Sequence, residues 1–368
     1  MIPVNEPLIA PNAIPYVTDC LKTGWISSSG IYIDKFETAF AKYLDVSFAT
    51  TTTNGTTALH LALAAISLGP GDEIIIPDLT IASCGLAAVY VGATPVFVDV
   101  DPATGNINPR LIEKAITKRT KAIMVVHLYG HPADMDPIMA IARKHKLIVI
   151  EDAAEAHGAL YKGKKVGGIG DIGCFSFYGN KIVTTGEGGM VVTNHKPYYE
   201  RAKVLKDLAH SPKRRFYHEE VGYNFRMTNM QAALGLAQLE RIETYIHIKL
   251  RMKKQYHEQL SSVSSLILPS QALWAKSVYW MYAVLVSKNS PIDRDTLRMK
   301  LKEKGIDTRD YFIPLHRQPV FKNVLTSKKI SYPVSDDLSK RGLYLPSGLA
   351  ITDKQIKTVT DTIKQMLP

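Results

Sequence analysis

The chemistry in this chain gathers on Lys181, which stands in the run FSFYGNKIVTTGEGG. Upstream, the apolar stretch Leu147 to Ile150 reads as a buried strand and ends in Glu151 and Asp152. Open α/β sheets place their ligands at the carboxyl ends of such strands. A lysine amine can add to an aldehyde and carry protons. The glycines after it let a flat molecule approach the backbone closely. An acid at a strand end, an amine and a glycine-rich turn together point to a planar, electron-accepting ligand rather than to one more solvated lysine.

A second stretch offers an anion site. Phe48 to Thr57 (FATTTTNGTT) opens into the apolar run ALHLALAA. A turn of glycine and hydroxyl residues at a helix start aims free N–H groups outward at the positive end of the helix dipole, which suits phosphate. Asn-Gly-Thr is also an ordinary helix cap, so both readings stay open at this point. His60 lies inside that helix and reads as structural. The loop Thr23 to Gly30 (TGWISSSG) is either a plain connector or a substrate-lining loop, with Trp25, Ser27 and Ser28 as its contact residues. Ile306 to His316 concentrates Arg309, Phe312 and His316 in an extended segment, too polar for core and too aromatic for a spacer. These residues are expected to line a substrate pocket or, failing that, to brace the chain's two parts. Asp99 and Asp101 find no third ligand at metal-binding spacing and read as turn chemistry; no metal is expected.

The elements that must hold these residues alternate. Strands are predicted at 74–77, 95–100, 122–127, 147–150, 174–177 and 190–193. Helices are predicted at 12–22, 33–44, 81–91, 110–115 and 136–145. Strands separated by helices of this length form a mostly parallel sheet covered on both faces. Residues 196 to 218 read as a helix and a loop. A single helical stretch from Met230 to about His257 then connects to a smaller α+β part with a strand at 280–286 and helices at 293–304 and 353–366. The expected division is an arm (1–12), a large domain (13–245) and a small domain (246–368).

The bulk properties narrow the class. At 368 residues the chain can bury a large core and form two domains. The net charge of +11 suits a small polyanionic substrate; the densest basic cluster, Lys213-Arg214-Arg215, is short and sits in no nucleic-acid module, so neither nucleic acid nor membrane is expected as a partner. Cys20, Cys84 and Cys174 have no metal or redox spacing, and the N-terminus lacks the basic and apolar regions of a signal peptide. A cytoplasmic protein with reduced thiols is the expectation.

The ordered motifs GWISSSG, TTNGTTALHLAL, GDEIIIP, GATPVFVDVD, IEDAAEAHGA, FSFYGNKIVTTGEGGMV, GYNFRMTNMQAALG and IDTRDYFIPLH resemble the DegT/DnrJ/StrS sugar aminotransferases over essentially the whole length. Among these they are most similar to the perosamine-forming members. The resemblance implies a fold-type I, aspartate-aminotransferase-like architecture and pyridoxal 5'-phosphate as cofactor. It implies that Lys181 joins the cofactor aldehyde and that Asp152 faces the pyridine nitrogen. Ser176, Gly55 and Thr56 would bind the phosphate, Asn224 would reach it from the neighbouring subunit of a homodimer, and Glu155 would face the ring hydroxyl. Many relatives carry Gln or His in place of Glu155; the acid matches the perosamine branch. Ile81 stands where many relatives stack an aromatic residue on the ring. The implied reaction moves an amino group from L-glutamate to C4 of a nucleotide-linked 4-keto-6-deoxyhexose, foremost GDP-4-keto-6-deoxymannose. The rivals are a C3 or C4 aminotransferase acting on a dTDP- or UDP-linked keto sugar, a dehydratase of the same fold, and a DNA-binding regulator. In such dehydratases histidine replaces the lysine, so Lys181 argues against them.

Overall fold

The computed structural model describes residues 1–211, 213–322 and 331–367, without the side chain of Arg215. Its centre is a seven-stranded sheet: β1 (Phe48–Thr52), β2 (Glu73–Pro77), β3 (Thr94–Val98), β4 (Thr120–Val126), β5 (Ile148–Asp152), β6 (Ile172–Ser176) and β7 (Gly189–Thr193). The order is β1-β7-β6-β5-β4-β2-β3. All strands run parallel except β7, which is antiparallel to both neighbours. β2 and β6 are buried along their whole length. That is why they read as continuous apolar runs instead of alternating ones.

Helices cover both faces. On one lie α1 (Ala13–Thr23), α2 (Ile31–Leu44), α5 (Pro109–Ala115), α6 (Met135–His145) and α8 (Asn229–Leu239), packing Phe36, Phe40, Ile112, Ile138 and Ala232 against the sheet. On the other lie α3 (Gly55–Ala65), α4 (Ala82–Tyr90) and α7 (Lys196–Lys206), through Leu61, Leu63, Ala87 and Leu205. A second, antiparallel sheet is ordered β8-β9-β11-β10, from β8 (Leu266–Ile267), β9 (Tyr282–Val286), β10 (Arg309–Asp310) and β11 (Gly342–Leu345). It shares a core with α9 (Ile242–Leu260), α10 (Arg294–Glu303) and α12 (Asp353–Met366), while α11 (Pro333–Arg341) runs into β11. The fold is thus α/β with a large, mostly parallel sheet, as the sequence pattern predicts.

Three expectations need correction. Phe48–Thr52 is a strand and not only a lead into a turn; its threonines are β-branched and suit a pleated surface. The stretch 230–257 is two helices, broken at Glu240 and Arg241. Asn12, just before α1, and Tyr16 of α1 both bond the Glu240 carboxylate, and α9 then runs from the large core (Ile242, Tyr245, Ile246) into the small one (Met252, Tyr256, Leu260). Residues 306–316 are only briefly extended: Arg309 and Asp310 pair with β11, and Leu315–Arg317 then makes a 3-10 turn because the Leu315 N–H donates to the Asp78 carbonyl at 2.7 Å.

The first residues are tied to the smaller sheet's surroundings. Ile2 N–H donates to Gly305 O at 2.7 Å, and Ser347 N–H donates to Val4 O at 2.8 Å. No helix among the described residues is long and apolar enough to cross a membrane.

Candidate active site

A cavity of about 410 Å³ opens where β5 and β6 end, bounded by the start of α3, the start of α4 and the small sheet. The chain brings Gly55, Thr56, Asp152, Glu155, Ser176, Lys181 and Phe312 to its wall, with Asn54, Thr80, Ile81, Ser83, Tyr178, Asn180, Glu187, Trp280 and Tyr344.

Each polar group has a local cause. Asn54 caps α3 by accepting from Thr57 N–H at 2.9 Å, and the Thr57 hydroxyl accepts from Asn54 N–H at 3.1 Å. The N–H groups of Gly55 and Thr56, in the first turn, have no helical partner. Thr56 and Ser83 hydroxyls lie 2.9 Å apart. A Cβ at Gly55 would sit 2.7 Å from Ser176 Cβ, so only glycine lets the helix start close on that hydroxyl. At the other end, Asp152 accepts from the Cys84 thiol at 3.1 Å and from Ala154 N–H at 3.0 Å.

Lys181 is 8% exposed. Its Nζ lies 3.7 Å from Glu155 Oε1 and 3.7 Å from the centre of the Trp280 ring. Burial pulls the amine below the ordinary lysine range, and the Glu155 and Asp152 carboxylates partly offset that pull. Burial likewise pushes the Glu155 carboxyl up to about 7, against the Lys181 charge and the Tyr129 N–H, which donates to Glu155 at 2.8 Å. Tyr129 makes that bond from a left-handed backbone (φ 52°), a strained conformation for a buried aromatic residue. His157, sealed beneath, is pushed down to about 3, first by burial, and is neutral.

An anion cradle, a free amine, a buried acid for a ring nitrogen and a second acid of raised pKa suit one group, an aromatic aldehyde carrying a phosphate. The unpartnered, buried Oδ1 of Asn180 also lies at this wall. Residues 7–364 match the DegT/DnrJ/EryC1/StrS aminotransferase family.

The chain belongs to that family.

Its relatives include proteins named GDP-perosamine synthase. The Caulobacter vibrioides protein is 44% identical over 367 residues, covering 100% of this chain and 98% of that protein. The Escherichia coli O157:H7 protein is 44% identical over 364 residues, covering 99% and 98%. Streptomyces venezuelae DesV, solved in complex with a ketimine intermediate, superposes with a TM-score of 0.90 at 32% identity and 98% coverage of both chains. The family uses pyridoxal phosphate, and the residues at this cavity fit it.

The remaining candidates lie elsewhere on the single chain. Trp25 is 58% exposed, and Ser27 and Ser28 are exposed on a loop pinned by Asn229, which donates to the Trp25 and Ser27 carbonyls at 2.7 and 2.6 Å. Asn224 is exposed and bridges Asp207 through the backbone. Arg309 is paired with Asp307 at 2.7 Å. His316 bonds the buried Asp78 carboxylate at 2.7 Å and stacks on Tyr332. None of these six lines the cavity. His60 packs among Tyr90, Tyr223 and Phe225. Asp101 accepts from the Ala103 and Thr104 N–H groups of its own turn, whereas Asp99 anchors the start of α11 through Ser335. Trp280, Tyr178, Asn180, Glu187 and Tyr344 were not singled out from the sequence. Tyr178, Asn180 and Glu187 stand in the motif around Lys181, while the signal for Trp280 is the aromatic density of VYWMY, which reads equally as strand core.

Proposed function

We propose that this chain transfers the amino group of L-glutamate to C4 of GDP-4-keto-6-deoxymannose, giving GDP-perosamine for a surface polysaccharide. The observation that carries the reading is the cavity holding Lys181, Asp152 and Glu155 in a chain 44% identical, end to end, to two GDP-perosamine synthases. When bound, pyridoxal phosphate supplies an electron-accepting ring that stores the amino group between donor and acceptor.

The protein's part follows from its own atoms. Gly55, Thr56 and Ser176 would hold the phosphate. The Asp152 carboxylate, kept in place by Cys84 and Ala154, would keep a proton on the ring nitrogen. Glu155 would serve the ring hydroxyl. The Lys181 amine would hold the aldehyde and, when free, carry the proton in each half-reaction. The wall of Trp280, Phe312 and Tyr344 excludes water.

A homodimer completes the site. Lys181 is the one cation lining the cavity among the described residues, yet the sugar nucleotide brings a diphosphate and glutamate two carboxylates. Asn224 from the partner adds a phosphate contact. Ile14, Leu21, Trp25, Ile26 and Ile31 stand exposed around α1 and the following loop, an apolar face suited to a second copy. The arm, large and small domains are assigned to 1–12, 13–245 and 246–368; α9 packs on the large core through Ile246 and on the small one from Met252 onward. Buried, unpaired cysteines suit the cytoplasm.

The test is a coupled assay with GDP-, dTDP- and UDP-linked 4-keto-6-deoxyhexoses and L-glutamate as donor. A preference for the GDP sugar by about tenfold or more in kcat/KM is expected. Preference for a dTDP or UDP sugar would move the chain to another branch of the family. Trp25, Ser27, Ser28, Arg309, Phe312 and His316 are assigned to the sugar nucleotide. Arg309→Ala should therefore raise its KM about tenfold and leave the single-turnover rate with glutamate unchanged.

A further inference from the structure

Lys181 must spend part of each turnover unbonded, and the structure gives its free amine defined neighbours. The Nζ has Glu155 at 3.7 Å and the face of Trp280 at 3.7 Å from the ring centre. The groups facing that nitrogen are the Glu155 and Asp152 carboxylates, the Cys84 thiol, the neutral His157 and the indole.

Trp280 is held for this position from both ends. Its Nε1–H donates to the Asn180 carbonyl at 2.8 Å, one residue before Lys181. Its own carbonyl accepts from the buried Lys249 amine at 2.8 Å. Tyr129 stacks beside the ring with centres 6.5 Å apart, and the residue is 3% exposed. A ring so fixed presents its negative face to the amine without reorganising, and a desolvated ammonium gains most from such a face.

We propose that the Trp280 indole is the platform on which the freed Lys181 amine takes up and releases its proton, which makes Trp280 a residue of the catalytic machinery and not only cavity wall. It rests on the aminotransferase assignment and is independent of which sugar nucleotide is used. The ring supports the ammonium form and directs the nitrogen's remaining hydrogens toward Glu155 and the cavity. Without the ring the amine loses its proton at lower pH and loses its fixed direction.

The test uses holoenzyme carrying the aminated form of the cofactor, in which Lys181 is free. Trace labelling with acetic anhydride across pH 6 to 10 (a range of about four units around the lysine values expected on burial), read on the Lys181 peptide by mass spectrometry, gives the midpoint of the amine. Trp280→Leu is expected to lower that midpoint by about one pH unit and Trp280→Phe by less, since a smaller ring face remains. In the same variants the single-turnover rate with 2-oxoglutarate should fall about tenfold for leucine, with the apparent Kd changed less than about twofold. If the leucine variant does not fold, Trp280→Met, which fills more of the space without a ring, decides on the same terms. A midpoint that stays or rises in the ringless variant, or phenylalanine and leucine variants that coincide, overturns the proposal. No sugar nucleotide enters the experiment, so a wrong substrate assignment leaves its outcome intact.

Discussion

Two buried lysines meet Trp280, one at its ring and one at its backbone carbonyl, and have opposite surroundings. Lys181 lies against the indole face, opens on a cavity and has two carboxylates nearby. Lys249, on α9, is 1% exposed and donates to the carbonyls of Trp280 and Ser347. Burial lowers both amines, Lys249 to about 7, and no carboxylate offsets the fall there. A perturbed amine is therefore not by itself a mark of chemistry. What separates the two is access and an acid: Lys181 can meet a carbonyl carbon and hand on a proton, whereas Lys249 can only tie backbone to backbone. Its knot is nonetheless useful. The Ser347 N–H takes the arm through Val4, and the Trp280 carbonyl fixes the strand that brings the indole to Lys181.

Removing each amine should expose this contrast. Lys181→Ala is expected to lower turnover by about a thousandfold or more, because the one amine that lines the cavity among the described residues disappears, while thermal stability stays within about 1 kcal/mol of native. Steady-state kinetics and a melting curve check both halves; substantial transamination by the alanine variant would remove this lysine from the mechanism. Asp152→Asn keeps the shape and the Ala154 contact but loses the charge that holds a ring proton. Its rate should fall by about a hundredfold or more at unchanged fold, as when a preorganised electrostatic partner is lost. A near-native rate would transfer that role to another acid.

The same contrast explains what could be read in advance. Asp152, Ser176 and Lys181 are close to the ends of two strands adjacent in sequence and in the sheet, so pattern and motif place them with no knowledge of distant contacts. Gly55 and Thr56 follow from helix-start chemistry. The layered fold follows from strand–helix alternation. Trp280 and Lys249 do not follow, because their roles exist only once distant residues have folded together: Trp280 lies 100 positions from Asn180 and Lys249 lies 98 from Ser347. Cys84 reads as an apolar helix residue until α4 docks on Asp152. The partners that meet the helix break at Glu240 are hidden for the same reason: Asn12 and Tyr16 come from the other end of the chain.

Lys249→Met sharpens the comparison in stability instead of rate. The folded-state amine titrates near 7 and the unfolded one near the ordinary lysine value, so between these the unfolded state holds more protons. Native stability should accordingly rise with pH from about 7 toward about 10, by on the order of 3 kcal/mol from this group alone. Methionine removes the titration and flattens that slope; it also leaves two buried carbonyls short of a donor, which costs about 1–3 kcal/mol at high pH. Urea unfolding at several pH values separates the two contributions. A slope unchanged by the substitution would mean that water or a neighbour keeps Lys249 charged.

The smallest effect tests what makes Lys181 different. Glu155→Gln deletes the nearer carboxylate and keeps a side chain able to accept from Tyr129 N–H. The amine of Lys181 should then titrate lower, moving toward the state of Lys249, and the pH profile of the glutamate half-reaction should shift with it. Stability gives an independent reading. The Glu155 carboxyl is raised to about 7 by burial, so the folded state holds its proton where the unfolded one has lost it. Its contribution is fully present below the ordinary glutamate value and is lost as pH rises through about 7. Native protein should lose roughly 1–3 kcal/mol over that window relative to the glutamine variant, whose curve lacks the step. Parallel curves for the two proteins would mean that Lys181 holds Glu155 ionised throughout, a tight ion pair. In that case the contrast with Lys249 would rest on charge pairing, and the open cavity would carry less of it.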